Sequence, residues 1–541
     1  MGVNNTVYEN VYEAETETGC IAAPSIAERI YAFIEKNEIL VLGFVLFTVT
    51  FGSLLYSYHK QLWLDEIFTI IVSSQPDLHH FAAAMPAEGN PPLNTFLTRL
   101  VIKVFGISQI TVRLVPLAGF LTAVTGVYIF VRREAGRGFG IFAVLLAVLG
   151  PVWQYSYEAR PYGVLLAMFM VALVGWQTAT HIQDSDLDRS RIPALFCMAV
   201  GILGCAFSHY IGLIEIGVPL LVGEAVRTYL RRRVDWPLVL TGLCCSSSLL
   251  LIVPMMKRTH DIVIARSTIL QPPLTLHKVL DYFKYAVTSW PQVMDNRIVL
   301  FAIVVAFVTW SPARKRLSLY ASNKSAAPAR THVLWACFAA SLLIPITWLA
   351  MFLGRGWYFC RYGIAAALGI VLWFCLLLAR RKIRLPELVT VLLVIVAAQY
   401  LHEFEHEFRA SPTTAASEAG ELIKDYPSDL PVVVTDSMAY PTLWWYASVA
   451  EKPRIVFLGE PGSTDLLTAG LMSEKPYFHA PILDFDSFTN QTSHFLLEVY
   501  VGGPQGICNL LKKEGFAMKM VASRDGAMLF DVTRPKTTVS P

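Results

Sequence analysis

A polytopic α-helical membrane protein with a soluble α/β domain at its C-terminal end is the fold class the sequence predicts, on three observations. Hydrophobic residues make up 55% of the 541 and charged residues 16%, with a mean hydropathy of +0.50, far from the roughly 25% charged of soluble chains. Mostly apolar stretches of about 20 residues, enough to cross a hydrocarbon core, recur between residues 39 and 400. Over 401–541 they give way to short β-rich runs alternating with helical ones. A net charge of +3 makes no case for a nucleic-acid partner, and the nine cysteines, scattered mostly through apolar stretches without a CxxC, read as packing residues.

Residues 1–38 open with Glu9, Glu13, Glu15 and Glu17 and little apolar density, the composition of a cytosolic tail, followed by a short amphipathic helix from Ser25 to Lys36. The first apolar segment begins late and has no basic n-region, so it is expected to stay as an anchor. About eleven spans are expected, near 39–58, 109–131, 138–155, 161–180, 192–208, 211–229, 236–254, 296–312, 332–353, 361–379 and 386–400. Basic residues collect in every second loop, at 132–137, 189–191, 227–233, 314–330 and 380–384. Basic loops stay in the cytoplasm, so the N-terminus is expected inside, and the loops 59–108, 156–160 and 255–295 and the C-terminal domain outside. The chain then reads as a multi-pass protein of the inner cell membrane with a periplasmic or extracellular C-terminal domain. In that domain strands are expected at 431–435, 454–458, 494–500, 517–523 and 527–533, and helices near 413–425, 437–450 and 504–514. Asp436-Ser437, just after the first strand, reads as a helix cap before it reads as a ligand site.

The residues that suggest chemistry fall on the outer face of this topology. Asp65 and Glu66 are adjacent in Trp63-Leu64-Asp65-Glu66-Ile67 just past the first span, where carboxylates are costly and of little use to packing, which suggests a proton acceptor or a cation ligand. The same 59–108 segment holds Asp77, His79, His80, Glu88 and Asn90-Pro91-Pro92-Leu93, then an apolar run to Phe105. Arg99 and Lys103 within that run imply a helix lying along the interface, with both cations snorkelling to headgroups. Tyr155-Ser156-Tyr157-Glu158-Ala159-Arg160-Pro161-Tyr162 supplies an acceptor, an anion clamp and a tyrosine rim. Ser208-His209-Tyr210 ends the fifth span, and Arg361-Tyr362 opens a late one. Aromatic belts are expected at both faces, so the gathering of these features on one face argues for a site.

Taken together, the Asp65-Glu66 pair, the Pro-Pro-Leu helix entry, Tyr-Ser-x-Glu-Ala-Arg-x-Tyr at 155–162, His209-Tyr210 and Arg361-Tyr362 resemble the integral-membrane GT-C glycosyltransferases, in the branch of protein O-mannosyltransferases and aminoarabinose transferases. The resemblance covers roughly 38–400, departing at Asn90, where such proteins commonly carry His. It implies a hexosyl- or pentosyltransferase that moves a sugar, with inversion, from a polyprenyl-phosphate donor to a glycan, lipid or protein acceptor at the outer membrane face. Under that resemblance Asp65, Glu66 and Glu158 are the catalytic candidates, while Arg160, Arg361 and Tyr162 would bind the donor phosphate. A divalent metal ion held by Glu66, Glu158 or His209 is the one cofactor it leaves open.

Two rival classes stand beside the enzyme. A transporter or flippase would also need many spans and a few interior charges, but it places them at the midplane and shows paired repeats with broken helices, neither of which the sequence displays. A scaffold that uses its spans only as an anchor has no need of an acidic pair, an acid-arginine loop and a His-Tyr on one face.

Overall fold

The computed structural model describes residues 24–534, except 150, 185–189, 264–329, 354–359, 382–385, 410–414, 427–428, 461–467, 469–470, 473–474, 501–505 and 525. The span expected near 296–312, the tail before residue 24, the basic cluster at 314–324 and most of the 255–295 loop lie outside the described residues.

Helix α1 (Ile26–Lys36) opens where the sequence places it. The Ser25 hydroxyl accepts from the Glu28 amide at 3.2 Å and the Glu28 carboxylate accepts from the Ser25 amide at 2.9 Å, a reciprocal cap for the orphan donors of the first turn. Helix α2 (Glu38–His59) follows, and its 22 residues rise about 33 Å, enough to cross a bilayer. After an outer segment come α6 (Leu114–Ala135), α7 (Arg137–Leu149), α8 (Tyr162–Asp184), α9 (Ile192–Ser208), α10 (Gly212–Arg231), α11 (Trp236–Ser246) with α12 (Leu249–Val263), α13 (Thr331–Ser341), α14 (Leu343–Leu353), α15 (Ala365–Arg380) and α16 (Pro386–Arg409).

Among the described residues, four stretches are long and apolar enough to cross a membrane, Glu38–His59, Thr111–Ala135, Tyr162–Asp184 and Trp236–Thr259; the pair α13 and α14, bent by 55°, makes a fifth. The expected count of eleven included shorter helices. Helices α7, α9 and α15 have 13, 17 and 16 residues, and α10, although 20 long, carries Glu215, Glu224, Arg227 and Arg231. The chain is a multi-pass helical membrane protein.

Small residues set close helix crossings: a Cβ on Gly119 would stand 2.5 Å from the Gly163 carbonyl, so α6 and α8 touch backbone to backbone. Ion pairs tie the opposite end of the bundle from Asp65. Arg227 bridges Asp184 at 2.8 Å and Asp235 at 2.9 Å, and Arg132 holds Glu38 at 2.7 Å.

The outer segment between α2 and α6 folds into three short helices, α3 (Leu64–Ser73), α4 (Leu78–Glu88) and α5 (Leu93–Phe105), and a single 3-10 turn at Thr111–Arg113. Helix α5 is where the apolar run predicted it, but Arg99 does not snorkel. It is buried, donating to the carbonyls of Ser73 at 2.9 Å, Pro76 at 3.2 Å and Gln75. The unsatisfied carbonyls at the end of α3 draw the guanidinium inward, because they offer a cation both hydrogen bonds and the negative end of the helix dipole.

Beyond α16 lie α17 (Ala415–Asp425), β1 (Val432–Val434), α18 (Ala439–Tyr446), β2 (Ile455–Gly459), β3 (Ile482–Asp484), α19 (Phe485–Gln491), β4 (His494–Tyr500), α20 (Gly506–Lys513), β5 (Ala517–Arg524) and β6 (Ala527–Thr533). The strands form one sheet in the order β3-β2-β1-β4-β6-β5. The pairs β3-β2, β2-β1 and β1-β4 are parallel, and β6 runs antiparallel to both β4 and β5. The Asp436 carboxylate accepts from the Met438 amide at 2.7 Å and closes the turn before α18, whose N-cap position is Met438 rather than the Asp436-Ser437 pair expected to cap it.

One face of this sheet is joined to the outer segment in a single apolar cluster. Leu62, Ile67, Ile70, Ile71 and Val112 pack with Val432, Val434, Tyr440 and Leu443. Polar ties reinforce the join: the Leu62 amide donates to the Tyr446 oxygen at 2.8 Å, the Thr442 hydroxyl to the Leu62 carbonyl at 3.2 Å, and the Tyr477 hydroxyl to the Ala83 carbonyl at 2.9 Å. The residues just before Asp65 are thus gripped from above by the sheet and from below by the helical bundle.

Candidate active site

Neighbouring residues on a helix project about 100° apart, so Asp65 and Glu66 at the start of α3 cannot face the same way. Glu66 turns inward and is wholly buried, at 0% exposure. One of its oxygens accepts from Arg113 Nε and from the Ala159 amide, both at 2.7 Å; the other accepts from Arg113 Nη2 at 2.7 Å and from the Trp63 amide at 3.0 Å. A carboxylate has about four lone-pair directions, and these four bonds use them all. Burial pushes the Glu66 carboxyl up, but the Arg113 guanidinium and the two amides outweigh it and hold the group below the usual carboxylate range. Arg113 also donates to the carbonyls of Ser57 at 3.0 Å, Lys60 at 2.8 Å and Gln61 at 3.1 Å. Glu66 and Arg113 thereby pin together the end of α2, the start of α3, the turn before α6 and the 157–161 loop.

Asp65 turns outward, with 31% of its side chain exposed, and meets Arg160 at 2.6 Å. The Arg160 guanidinium lies over the Tyr162 ring at 5.4 Å. Arg361 lies by the Tyr162 side chain, and His209 sits between two tyrosines, 5.8 Å from Tyr162 and 5.0 Å from Tyr362, ring centre to ring centre. Asp65, Arg160, Tyr162, His209 and Arg361 therefore form one group. Glu158 does not join it, being paired with Lys60 at 2.9 Å.

Glu66, Glu158 and His209 are consequently not arranged as a common ligand set for a metal. Glu66 is saturated by Arg113 and two amides, and Glu158 is committed to Lys60. Among the described residues, no three His, Cys, Asp or Glu side chains converge on a point that could hold an ion.

Glu88 belongs to the group although the sequence did not mark it as functional. It is buried at the end of α4, where Gly89 at φ +81° turns the chain into Asn90-Pro91-Pro92. One oxygen accepts from the Thr69 hydroxyl at 3.1 Å and the other has no partner among the described residues. Burial, with the charge of Asp65 added to it, pushes the carboxyl up to about 8 against the Thr69 hydrogen bond. Beside it on α5, Asn94 and Thr98 are buried with side-chain polar atoms likewise unpartnered among the described residues. The only signal available in the sequence was an acid two residues before the Asn-Pro-Pro turn; what gives Glu88 its character comes from residues far along the chain.

The arrangement offers a solvent-reachable carboxylate held by an arginine, a second carboxyl that stays protonated near neutral pH, and a second arginine on an aromatic wall. Such a set can accept a proton and bind an anionic leaving group at adjacent points.

Comparison with known proteins supports the resemblance at the level of family. Residues 89–252 match the family model described as dolichyl-phosphate-mannose-protein mannosyltransferase. Among solved structures, ArnT from Cupriavidus metallidurans in the apo state is 15% identical with a TM-score of 0.47, covering 92% of this chain and 98% of that one. The same protein bound to undecaprenyl phosphate gives 14% and 0.45, covering 93% and 99%. The Archaeoglobus fulgidus oligosaccharyltransferase in complex with Zn and sulfate gives 13% and 0.42, covering 91% of this chain and 72% of that one. No curated protein matches the chain. The likeness to integral-membrane GT-C glycosyltransferases carried by the motifs is thus found again in the family match, which spans the Asn90-Pro91-Pro92, 155–162 and His209-Tyr210 motifs.

Proposed function

We propose that this protein transfers a sugar from a polyprenyl-phosphate carrier to an acceptor hydroxyl at the outer membrane face, with inversion at the anomeric carbon. The observation that carries the reading is the Asp65–Arg160 pair at 2.6 Å, one partner fit to take a proton and the other to hold a phosphate. The family matched over 89–252 is described by a dolichyl-phosphate-mannose donor, which supports a lipid-phosphate sugar as the substrate class.

The residues divide the work as follows. The donor phosphate takes the guanidinium of Arg160 in a two-pronged contact, Arg361 adds a second positive charge, and Tyr162 lines the contact. Losing Arg160 frees Asp65, which accepts the proton of the acceptor hydroxyl as its oxygen attacks the anomeric carbon from the side opposite the phosphate. The bond from carbon to phosphate oxygen breaks, and its electron pair leaves on the phosphate, where the two arginines stabilise it. Glu88, protonated near neutral pH, adds no second negative charge beside the phosphate. Glu66 and Arg113 position the start of α3. This reading takes with it the topology of about eleven spans, N-terminus cytoplasmic and C-terminal domain on the outer side of the inner membrane.

The test is turnover of a defined polyprenyl-phospho-sugar by the purified protein in lipid nanodiscs, read as released polyprenyl phosphate, together with the lipid-linked sugar pool of cells lacking the protein. Consumption in vitro and accumulation in the cells are expected. Movement of a solute across reconstituted vesicles with no release of polyprenyl phosphate would instead identify a transporter.

A further inference from the structure

Helix α5 wears its two sides the opposite way round from a helix on a soluble surface. Phe96, Leu100 and Val104, one turn apart, are exposed at 37%, 47% and 74%, whereas Asn94, Thr95, Thr98 and Arg99 are buried. Residues three and four apart share a helix face, so the buried four form one polar stripe and the exposed three one apolar row. The apolar row calls for lipid on its side, which sets the stripe facing inward at the depth of the membrane surface.

One end of the stripe adjoins the candidate site. Thr95 lies by Glu88, whose carboxyl is acted on by the charges of Asp65 and Arg160. Arg99, at the other end, has both terminal nitrogens committed to the carbonyls at the end of α3. Between these ends the Asn94 amide oxygen and nitrogen, the Thr98 hydroxyl and one Glu88 oxygen have no hydrogen-bond partner among the described residues. Buried polar groups left unpaired are costly, and most interior ones are paired. The ligand-free state carries that cost, and a ligand that reaches these atoms removes it.

The unpaired atoms select what would bind. An acyl chain leaves every one of them unmet. A phosphate finds no uncommitted terminal guanidinium nitrogen in the stripe, and Arg160 and Arg361 already offer it better terms. Carboxamide, hydroxyl and protonated carboxyl all donate and accept, as the hydroxyls of a neutral sugar ring do. A sugar on a lipid carrier arrives at membrane depth with its phosphate at Arg160, the end where the stripe begins.

We infer that Asn94 and Thr98 hydrogen-bond the hydroxyls of the neutral sugar on the lipid-phosphate donor, and so distinguish a sugar-loaded carrier from a bare one. The inference deepens the glycosyl-transfer reading and rests on it for the donor, but the binding can be measured apart from turnover.

The full chain in lipid nanodiscs is titrated, without acceptor, with dolichyl phosphate and with dolichyl-phosphate-mannose. The parent and Thr98→Ser, which keeps the hydroxyl, are expected to bind the mannose-loaded carrier about tenfold more tightly, the equivalent of about 1.4 kcal/mol. Thr98→Val and Asn94→Leu stay close to the parental shape without the hydrogen-bonding atoms, and should bind the two carriers alike while holding dolichyl phosphate as the parent does. Without ligand neither should unfold at a lower temperature than the parent, because each removes a group that had no partner. Equal affinity of the parent for the two carriers, a mannose preference that survives both substitutions, or a lowered unfolding temperature in both overturns the inference. So does a raised acceptor KM with the donor preference intact, which would give the stripe to the acceptor. A preference lost in both variants, with no release of dolichyl phosphate by the parent once acceptor is supplied, keeps the subsite and overturns the glycosyl-transfer reading instead.

Discussion

Glu66→Gln and Asp65→Asn should have opposite effects, although the two acids are adjacent. Glu66 is fully buried and receives both prongs of Arg113 together with two backbone amides. Its amide counterpart has only one acceptor oxygen, and its nitrogen would point two more donors at a buried guanidinium. Breaking a buried pair by removing one charge costs about 3–5 kcal/mol, because the partner is left charged and uncompensated. Asp65 is 31% exposed but Arg160, the partner left behind, only 11%, so Asp65→Asn should destabilise by less than Glu66→Gln, though by more than the roughly 1 kcal/mol of an exposed pair. The order reverses for chemistry, where loss of a positioned base costs about 10²- to 10⁴-fold in turnover. Thermal unfolding of both variants in one detergent, alongside release of polyprenyl phosphate, separates the roles. Glu66→Gln should unfold at a markedly lower temperature. A Glu66→Gln protein as stable as the parent but inactive would refute the assignment of Glu66 to the scaffold and return it to the reaction.

Arg160→Lys keeps the charge but not the fork that matches a phosphate, so affinity for polyprenyl phosphate should fall, and fall further in Arg160→Ala; unchanged binding in both would remove Arg160 from the donor site. Glu88 is raised to about 8 in the folded protein, so the folded state holds a proton that the unfolded state gives up near pH 4.5, and stability contributed at this position falls as pH rises from about 4.5 to 8. Glu88→Gln should therefore match the parent at low pH and exceed it by up to a few kcal/mol near pH 8; parallel unfolding profiles across that window would show that Glu88 is not raised. Cysteine labelling of intact cells should find positions near 137, 232 and 382 shielded and those near 66, 158 and 450 open, and a shielded position 450 would reverse the proposed orientation.

Local periodicity carried most of the fold, and pairing between distant residues carried most of what the sequence left unread. The strands at 494–500 and 527–533 begin and end where the β-rich runs do, because strands of seven residues leave a clear pattern. Strand β3, Ile482–Asp484, is as short as β1, but it ends in an acid where β1 is three valines, so no β-rich run marks it. At the candidate site, the motifs marked loops that the fold brings together but not the partners within them. Glu158 and Arg160, read as an acceptor and an anion clamp of one loop, each reach across the fold, to Lys60 and Asp65. Arg113 carries no motif, and its role exists only because Glu66 lies opposite it, 47 residues away in sequence. Arg99 was legible as a cation on an apolar helix but not as the cap of α3, which requires knowing that α5 folds back on it.

The same geometry lets the C-terminal sheet and its helices bear on the proposed chemistry, although none of their described residues is assigned to it. Asp65 owes its direction to where α3 begins, and α3 begins where Trp63 is fixed by the Glu66 cap. Leu62, one residue earlier, is held on its amide by Tyr446 and on its carbonyl by Thr442, both from α18. Arg113 holds the carbonyls of Lys60 and Gln61 from the other side. The four residues before Asp65 are therefore clamped between a helix of the soluble domain and the first turn of a membrane helix, so a shift of the domain against the bundle re-aims the carboxylate. Displacements of about 1 Å at a reacting group can cost on the order of a hundredfold in rate. Loosening the clamp with Tyr446→Phe, which keeps the ring and deletes the oxygen that accepts from Leu62 and Gln109, should accordingly lower turnover more than donor affinity.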